Sequence, residues 1–231
     1  MNFKVVVLIK DQIGNIQKFL DIFREDDIVF VLDRPSVDEL KVKLPKRHII
    51  NTYGSGFMAG HCRNLGEQYW QVNAPSADIC FFDGDRYPPN AYIFQSIGNF
   101  IKHYDIILWG VKNDSRLRAM AKSFFYEHNR SFLEHPKNIS NIFYSCGFYI
   151  KRTAIDDIKK ISEGHLFHPA FNGHWGNEDR FMGNCALKLG LKYIFDFDTV
   201  LNGTMEYTDV KRKEYDGYSL KTQIELINKL I

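Results

Sequence analysis

The chain has 231 residues, of which 45% are hydrophobic and 15% aromatic, enough apolar material for a packed core and too much for a disordered polymer. Its 30 Lys and Arg residues nearly balance 28 Asp and Glu residues, which excludes a strongly basic protein but leaves room for a local basic patch. Cys62, Cys80, Cys146 and Cys185 are scattered without metal-finger spacing and read as reduced thiols.

The N-terminal apolar run is too short for a signal-peptide core, and no window of about 18 apolar residues is present to span a bilayer. A cytoplasmic protein is therefore expected, of a bacterium or of a host cell if phage-encoded. Phe3 to Ile9 reads as a buried strand rich in β-branched residues. Asp11 to Phe23 follows with Ile13, Ile16, Leu20 and Phe23 at helical spacing. Ile28 to Leu32 is a second strand, ending in Asp33-Arg34-Pro35, and Val37 to Leu44 is a short charged helix or loop. His48 to Ile50 is a third strand, Gly60 to Val72 a helix, and the run from Asp78 a fourth strand. Ala91 to His103 reads as a helix and Asp105 to Val111 as a strand. Strands alternating with helices predict a single α/β domain with a mostly parallel central sheet flanked by helices.

The segment D-I-C-F-F-D-G-D-R-Y-P-P, from Asp78 to Pro89, carries the first chemical signal. Its non-alternating apolar run predicts a strand buried on both faces. At its carboxyl end Asp83 and Asp85 flank Gly84, and residues two apart in extended backbone point to one side. Two such carboxylates repel unless a cation lies between them, and a divalent ion with oxygen ligands meets that need. Asp-Gly-Asp also suits a solvated turn, so both readings stand at this point.

Two further stretches bear on that choice. The Gly54-Ser55-Gly56 loop matches neither the dinucleotide fingerprint, since Gly60 comes one residue late, nor a P-loop. It still places small residues before a helix start, which suits a phosphate. Arg63, early in that helix, reads either as a partner for such an anion or as half of an ion pair. Downstream, Gly173, Gly176 and Asn177 suggest an irregular loop before a helix that carries Phe181, Met182, Cys185, Leu187 and Leu189. Glu178 and Asp179 in its first turn are either dipole partners or a general base for an acceptor hydroxyl. Trp175 offers a flat face for a sugar or base ring, or core packing.

Together these stretches resemble the GT-A fold glycosyltransferases, close to glycosyltransferase family 2 and its galactosyltransferase-like relatives. That family has a strand ending in Asp, an Asn-rich Gly loop leading to Ala-Arg-Asn-x-Gly, a strand ending in Asp-x-Asp, and a later Trp-Gly-x-Glu-Asp. The matches here are Asp33, then Asn51 with Gly54 and Gly56, C-R-N-L-G at Cys62 to Gly66, F-F-D-G-D at Phe81 to Asp85, and W-G-N-E-D at Trp175 to Asp179. The resemblance implies a Rossmann-like GT-A domain over 1–231. About 1–110 would bind the nucleotide-sugar donor, and about 111–231, with a C-terminal helix, would bind the acceptor.

The same resemblance implies an inverting, metal-dependent transfer from a UDP-sugar to an acceptor hydroxyl. Asp33, Arg63, Asn64 and Asp83 would contact the donor nucleotide, and Asp83 and Asp85 would hold Mn²⁺ or Mg²⁺. Asp179 would be the catalytic base, with Glu178 and Trp175 on the acceptor. No His follows His174, so water or another residue would complete the metal shell.

The acceptor is a glycan, a protein or a DNA base on this reading. Lys112 to Arg130 sets Lys112, Arg116, Arg118, Lys122 and Arg130 around Phe124, Phe125 and Tyr126. It reads as a solvated amphipathic helix or as a contact for a modified base in phage-type DNA. Tyr144 to Ile150 reads as a strand on the acceptor side, and Leu220, Ile224, Ile227 and Ile231 as a small amphipathic helix. The chain is expected to be a monomer or weak homo-oligomer. From other classes, a nucleotidyltransferase would want a Gly-rich, Arg-containing loop after the first strand, which Gln12-Ile13-Gly14-Asn15 does not supply. A non-catalytic nucleotide-sugar-binding module would keep the ligands without turnover. A glycoside hydrolase would need two carboxylates but no phosphate-facing helix.

Overall fold

A computed structural model describes residues 1–56, 58–111, 132–134, 147–173, 178–203, 225 and 229–230. Strand β1 is Phe3–Ile9, β2 Ile28–Asp33, β3 His48–Asn51 and β4 Asp78–Asp83, at the positions expected from their apolar runs. Then come β5 (Arg86–Tyr87), β6 (Ile106–Val111), β7 (Phe132–Glu134), β8 (Gly147–Ile150) and β9 (Tyr193–Gly203). Among the described residues the α-helices are α1 (Ile16–Leu20), α2 (Ala59–Asn73), α3 (Tyr92–Phe100), α4 (Arg152–Ile161) and α5 (Glu178–Lys188).

The strands form a mixed sheet in the order β3-β2-β1-β4-β8-β6-β9-β5, with β7 also paired to β9. β3, β2, β1 and β4 run parallel. β8 lies antiparallel between β4 and β6, β6 and β9 are parallel, and β5 and β7 are antiparallel to β9. The expectation of a mostly parallel sheet is thus corrected to a mixed one. Alternation of strand and helix gives parallel pairing from β1 to β4; it carries no information about the direction in which the later β8 inserts.

Alternating side chains send two cores to opposite faces of the sheet. Val6, Leu8, Val29, Val31, Phe81 and Phe148 pack under α2, α4 and α5. Val5, Val7, Phe30, Phe82, Trp109 and Tyr149 pack under α1 and α3. The run Ile79 to Phe82 is buried throughout, as a strand covered on both faces must be. Between Asp11 and Phe23 the expected single helix is broken. Asp11 takes φ 60°, Ile13–Asn15 is a 3₁₀ turn, and only Ile16–Leu20 is α-helical. No helix among the described residues is long and apolar enough to cross a membrane.

One irregularity shapes the sheet edge beside Asp85. The pairing of β6 with β9 jumps between Trp109–Asp196 and Gly110–Val200. Asp196 supports the bulge: its carboxylate accepts from the backbone amides of Asp198 (3.0 Å) and Thr199 (3.3 Å) and from the Ser96 hydroxyl (2.5 Å). Ser96 in turn accepts from Trp109 Nε1 at 2.9 Å. Beyond the bulge, Asn202 and Gly203 pair with Tyr87 and Arg86, beside the turn that carries Asp85.

Candidate active site

The four parallel strands end on one edge, which brings Asp33, Asn51 and Asp83 together at their carboxyl ends, where open α/β sheets bind ligands. Asp33 is paired in register with Asn51. Asn51 Nδ2 donates to Asp33 Oδ1 at 2.9 Å, and Arg34 donates to both carboxylate oxygens at 2.9 and 2.8 Å. Lys10 Nζ stands 3.7 Å from Asp33 Oδ2. Burial pushes the Asp33 carboxyl up, but the bonds from Arg34 and Asn51 and the charges of Arg34 and Lys10 outweigh it. The group sits below the usual carboxylate range and stays an anion.

Arg34, at φ 50°, also donates Nη2 to the Gly56 carbonyl at 2.5 Å, tying the glycine loop to β2. Gly54 and Gly56 have φ of 85° and 72°, a region that glycine enters without strain. A Cβ on Gly56 would lie 2.7 Å from the Gly173 carbonyl oxygen, so the loop touches the segment that leads towards α5.

Asp83 closes β4 and Asp85 lies in the turn behind it. Gly84 is needed there for close packing: its amide donates to the Leu8 carbonyl at 2.6 Å, and a Cβ would lie 2.9 Å from that oxygen. Asp83 meets Arg63 Nη2 at 2.5 Å, and Asp85 meets Arg86 Nη1 at 3.2 Å. Burial, and next the charge of Asp83, push the Asp85 carboxyl up to about 6, with Arg86 acting against both. The two side chains keep 29% and 30% exposure.

Glu178 and Asp179 open α5, as read from the sequence. Glu178 is buried, and its Oε1 accepts from Arg63 Nη1 at 3.3 Å. Burial, then the charge of Asp179, raise its pKa despite Arg63. Asp179 is half-buried and accepts from the Arg180 amide at 2.7 Å. Arg63 is only 1% exposed, and Asp83, Glu178 and Asp179 all favour its charged form against the effect of burial. Asn64 faces elsewhere: its Nδ2 donates to the Phe167 carbonyl at 2.6 Å, and its Oδ1 accepts from the Phe167 amide at 3.0 Å.

Asp33, Arg63, Asp83, Asp85, Glu178 and Asp179 therefore share one edge, while Asn64 is engaged with the Phe167 backbone. Trp175, the basic stretch Lys112 to Arg130, Tyr144 to Cys146 and the C-terminal apolar residues lie outside the described residues. Lys10 stands in Lys10-Asp11-Gln12 after the first strand, where the resembled family has small polar residues, and Arg34 and Arg86 carry no motif of their own. The dipeptides Asp33-Arg34 and Asp85-Arg86 were the available signal. Among the described residues no group of three or more His, Cys, Asp or Glu side chains could hold a metal ion. Asp83 and Asp85 are the pair that would hold a divalent cation: the charge of Asp83 disfavours the Asp85 carboxylate, and Mg²⁺-type sites use as few as one or two carboxylates plus substrate phosphates, although Arg63 and Arg86 already partner the two acids. No protein-family model matches the chain, and no curated protein matches it.

Proposed function

We propose that the protein is an inverting, metal-assisted glycosyltransferase of GT-A type that moves a sugar from a nucleoside-diphosphate donor, a UDP-sugar, to an acceptor hydroxyl. The observation that carries this reading is the buried guanidinium of Arg63, which joins Asp83 at 2.5 Å to Glu178 at 3.3 Å. It brings the acids of β4 and of α5, far apart in sequence, to the carboxyl edge of one parallel strand set. In the proposed step Asp179 takes the acceptor O–H proton as the acceptor oxygen bonds to the anomeric carbon. The bond from that carbon to the diphosphate oxygen breaks, and its electron pair leaves with UDP. Asp83 and Asp85 would hold Mn²⁺ or Mg²⁺, whose charge offsets that of the departing diphosphate. Glu178 and Asp179 lead a helix whose free N–H groups and dipole favour an anion.

The free, buried thiols of Cys62, Cys80 and Cys185 suit a reducing compartment, and we take the reaction to run in the cytoplasm. The test is the thermal midpoint with a panel of nucleoside diphosphates, with and without Mn²⁺. A rise that requires both UDP and Mn²⁺ is expected, because a ligand bound only to the folded state stabilises it by mass action. No rise with any nucleotide would refute the reading. Asp179→Asn is expected to keep this rise and lose turnover; unchanged turnover would exclude Asp179 as the base.

A further inference from the structure

The geometry points to Arg63 as a positioning residue, a buried strut that sets the start of α5, and with it Asp179, against the Asp83–Asp85 turn. Its catalytic consequence rests on the reading of Asp179 as the base; the strut itself does not. A nucleotide contact needs a donor group that a ligand can reach, and Arg63 is 1% exposed. Both its terminal nitrogens are already directed at protein, Nη2 to Asp83 and Nη1 to Glu178. The guanidinium lies over the Phe167 ring, 5.5 Å from its centroid, and the neighbouring Asn64 holds the Phe167 backbone from both sides. Consecutive residues of α2 thus place the strut and the floor beneath it.

The approach of α5 is built into α2 one turn earlier. At Gly60 a Cβ would stand 3.2 Å from the Cβ atoms of both Glu178 and Phe167, tighter than side chains ordinarily pack. Glu178 is the direct sequence neighbour of Asp179, so any shift of the Glu178 anchor moves the base. The strut is also not an optimal stabilising device. Arg63 Nε and Glu178 Oε2 are buried with no hydrogen-bond partner among the described residues. A buried ion pair of this kind is weak support for stability, whereas a fork that meets two acceptors at once fixes their relative geometry. Glu178 on this account is an anchor inside the protein, and the acceptor would be held by other groups.

The experiment compares Arg63→Met, Glu178→Met and Glu178→Gln with the wild-type chain. Amide hydrogen exchange of Met182 to Cys185 in α5 is expected to speed up about tenfold or more in the two Met variants, with β1 amides unchanged. Equal exchange in α5 would overturn the strut. If Arg63→Met fails to fold, Glu178→Met cuts the same connection from its other end. The second readout is UDP release from UDP-glucose and UDP-galactose with water as acceptor. In the Met variants kcat is expected to fall by about tenfold to 100-fold, the order of loss that a 1 Å misplacement of a reacting group can cause, while Kd for UDP with Mn²⁺ changes less than about threefold in Glu178→Met, which leaves the Arg63–Asp83 contact in place. Glu178→Gln keeps an oxygen acceptor for Nη1 and is expected to retain more turnover than Glu178→Met. A tenfold loss of UDP affinity in Arg63→Met with kcat retained would make Arg63 a nucleotide contact and refute the positioning role. If the wild-type chain neither binds UDP nor releases it, the glycosyltransferase reading falls, and the exchange measurement still decides the strut.

Discussion

Asn15 donates its side-chain amide to the carbonyl oxygen of Gly84 at 2.9 Å, so the turn between Asp83 and Asp85 is held from a different part of the chain. The donor sits where the expected helix is broken into a 3₁₀ turn, which frees the Asn15 side chain from a helix surface and lets it reach 69 residues along the sequence. Gly84 completes the clamp from the other side by donating to Leu8.

Gly84→Ala is expected to destabilise the fold by about 1–3 kcal/mol, the usual cost of overpacking. The added methyl meets the Leu8 carbonyl at 2.9 Å, backbone that cannot step aside. Because the turn must move, binding of Mn²⁺ with UDP should weaken alongside stability. Denaturant titration and calorimetric titration of the variant check the two effects separately.

Asp85 gives a pH signature. Its carboxyl is raised to about 6 in the folded chain, above the ordinary value of 3.8, so the folded state holds its proton more tightly than the unfolded state. The resulting penalty is absent below about pH 4, grows between pH 4 and 6, and is complete above pH 6. Asp85→Asn removes it. With the side chain 30% exposed and partly screened, the gain at pH 7.5 is expected to be about 1–2 kcal/mol. It should vanish by pH 4, as thermal melts across pH will show. Protons compete with a cation for the same oxygens, so Mn²⁺ affinity of the wild-type chain should fall as pH drops through 6.

Arg34 gives the opposite sign. Asp33 is held below the ordinary carboxylate value, so its partners stabilise the fold fully above about pH 4 and progressively less as pH falls further. Arg34→Met removes the largest of the favourable bonds and the tie to Gly56. A loss of about 1–3 kcal/mol at neutral pH is expected, since a buried acceptor is left partly unmet. The gap to wild type should narrow below pH 4, measured by urea denaturation at both ends of the range.

Gly66→Ala is a test away from the site. A Cβ there runs into the Val6 side chain, on the line where α2 lies against β1. Destabilisation of about 1–3 kcal/mol is expected, and Val6→Ala in the same chain should recover part of it, because the two changes share one volume. Additive losses in the double variant would show that α2 does not contact β1 through these residues.

Much of this architecture is local and therefore legible. The apolar runs of β1 to β4, the glycine loop before α2 and the two acids that open α5 depend on burial and turn chemistry within a few residues. The placement of Asp33, Asp83 and Asp85 at one edge followed from the parallel pairing that strand–helix alternation implies. The helix α4 and the strand β9 were not among the elements read from sequence, and the bulge that carries β9 past Asp196 has no local pattern to announce it.

What the sequence determined by itself was the set of charges and the strands that end in them. What only the tertiary structure decided was which charges meet. Arg63 was compatible with a phosphate contact or an ion pair, and chain closure buried it between Asp83 and Glu178. Asn64, its neighbour, was turned to the Phe167 backbone. The direction of β8 and the pairing of Arg63 belong to the same class of fact: each depends on how segments distant in sequence close on one another, which no local propensity encodes.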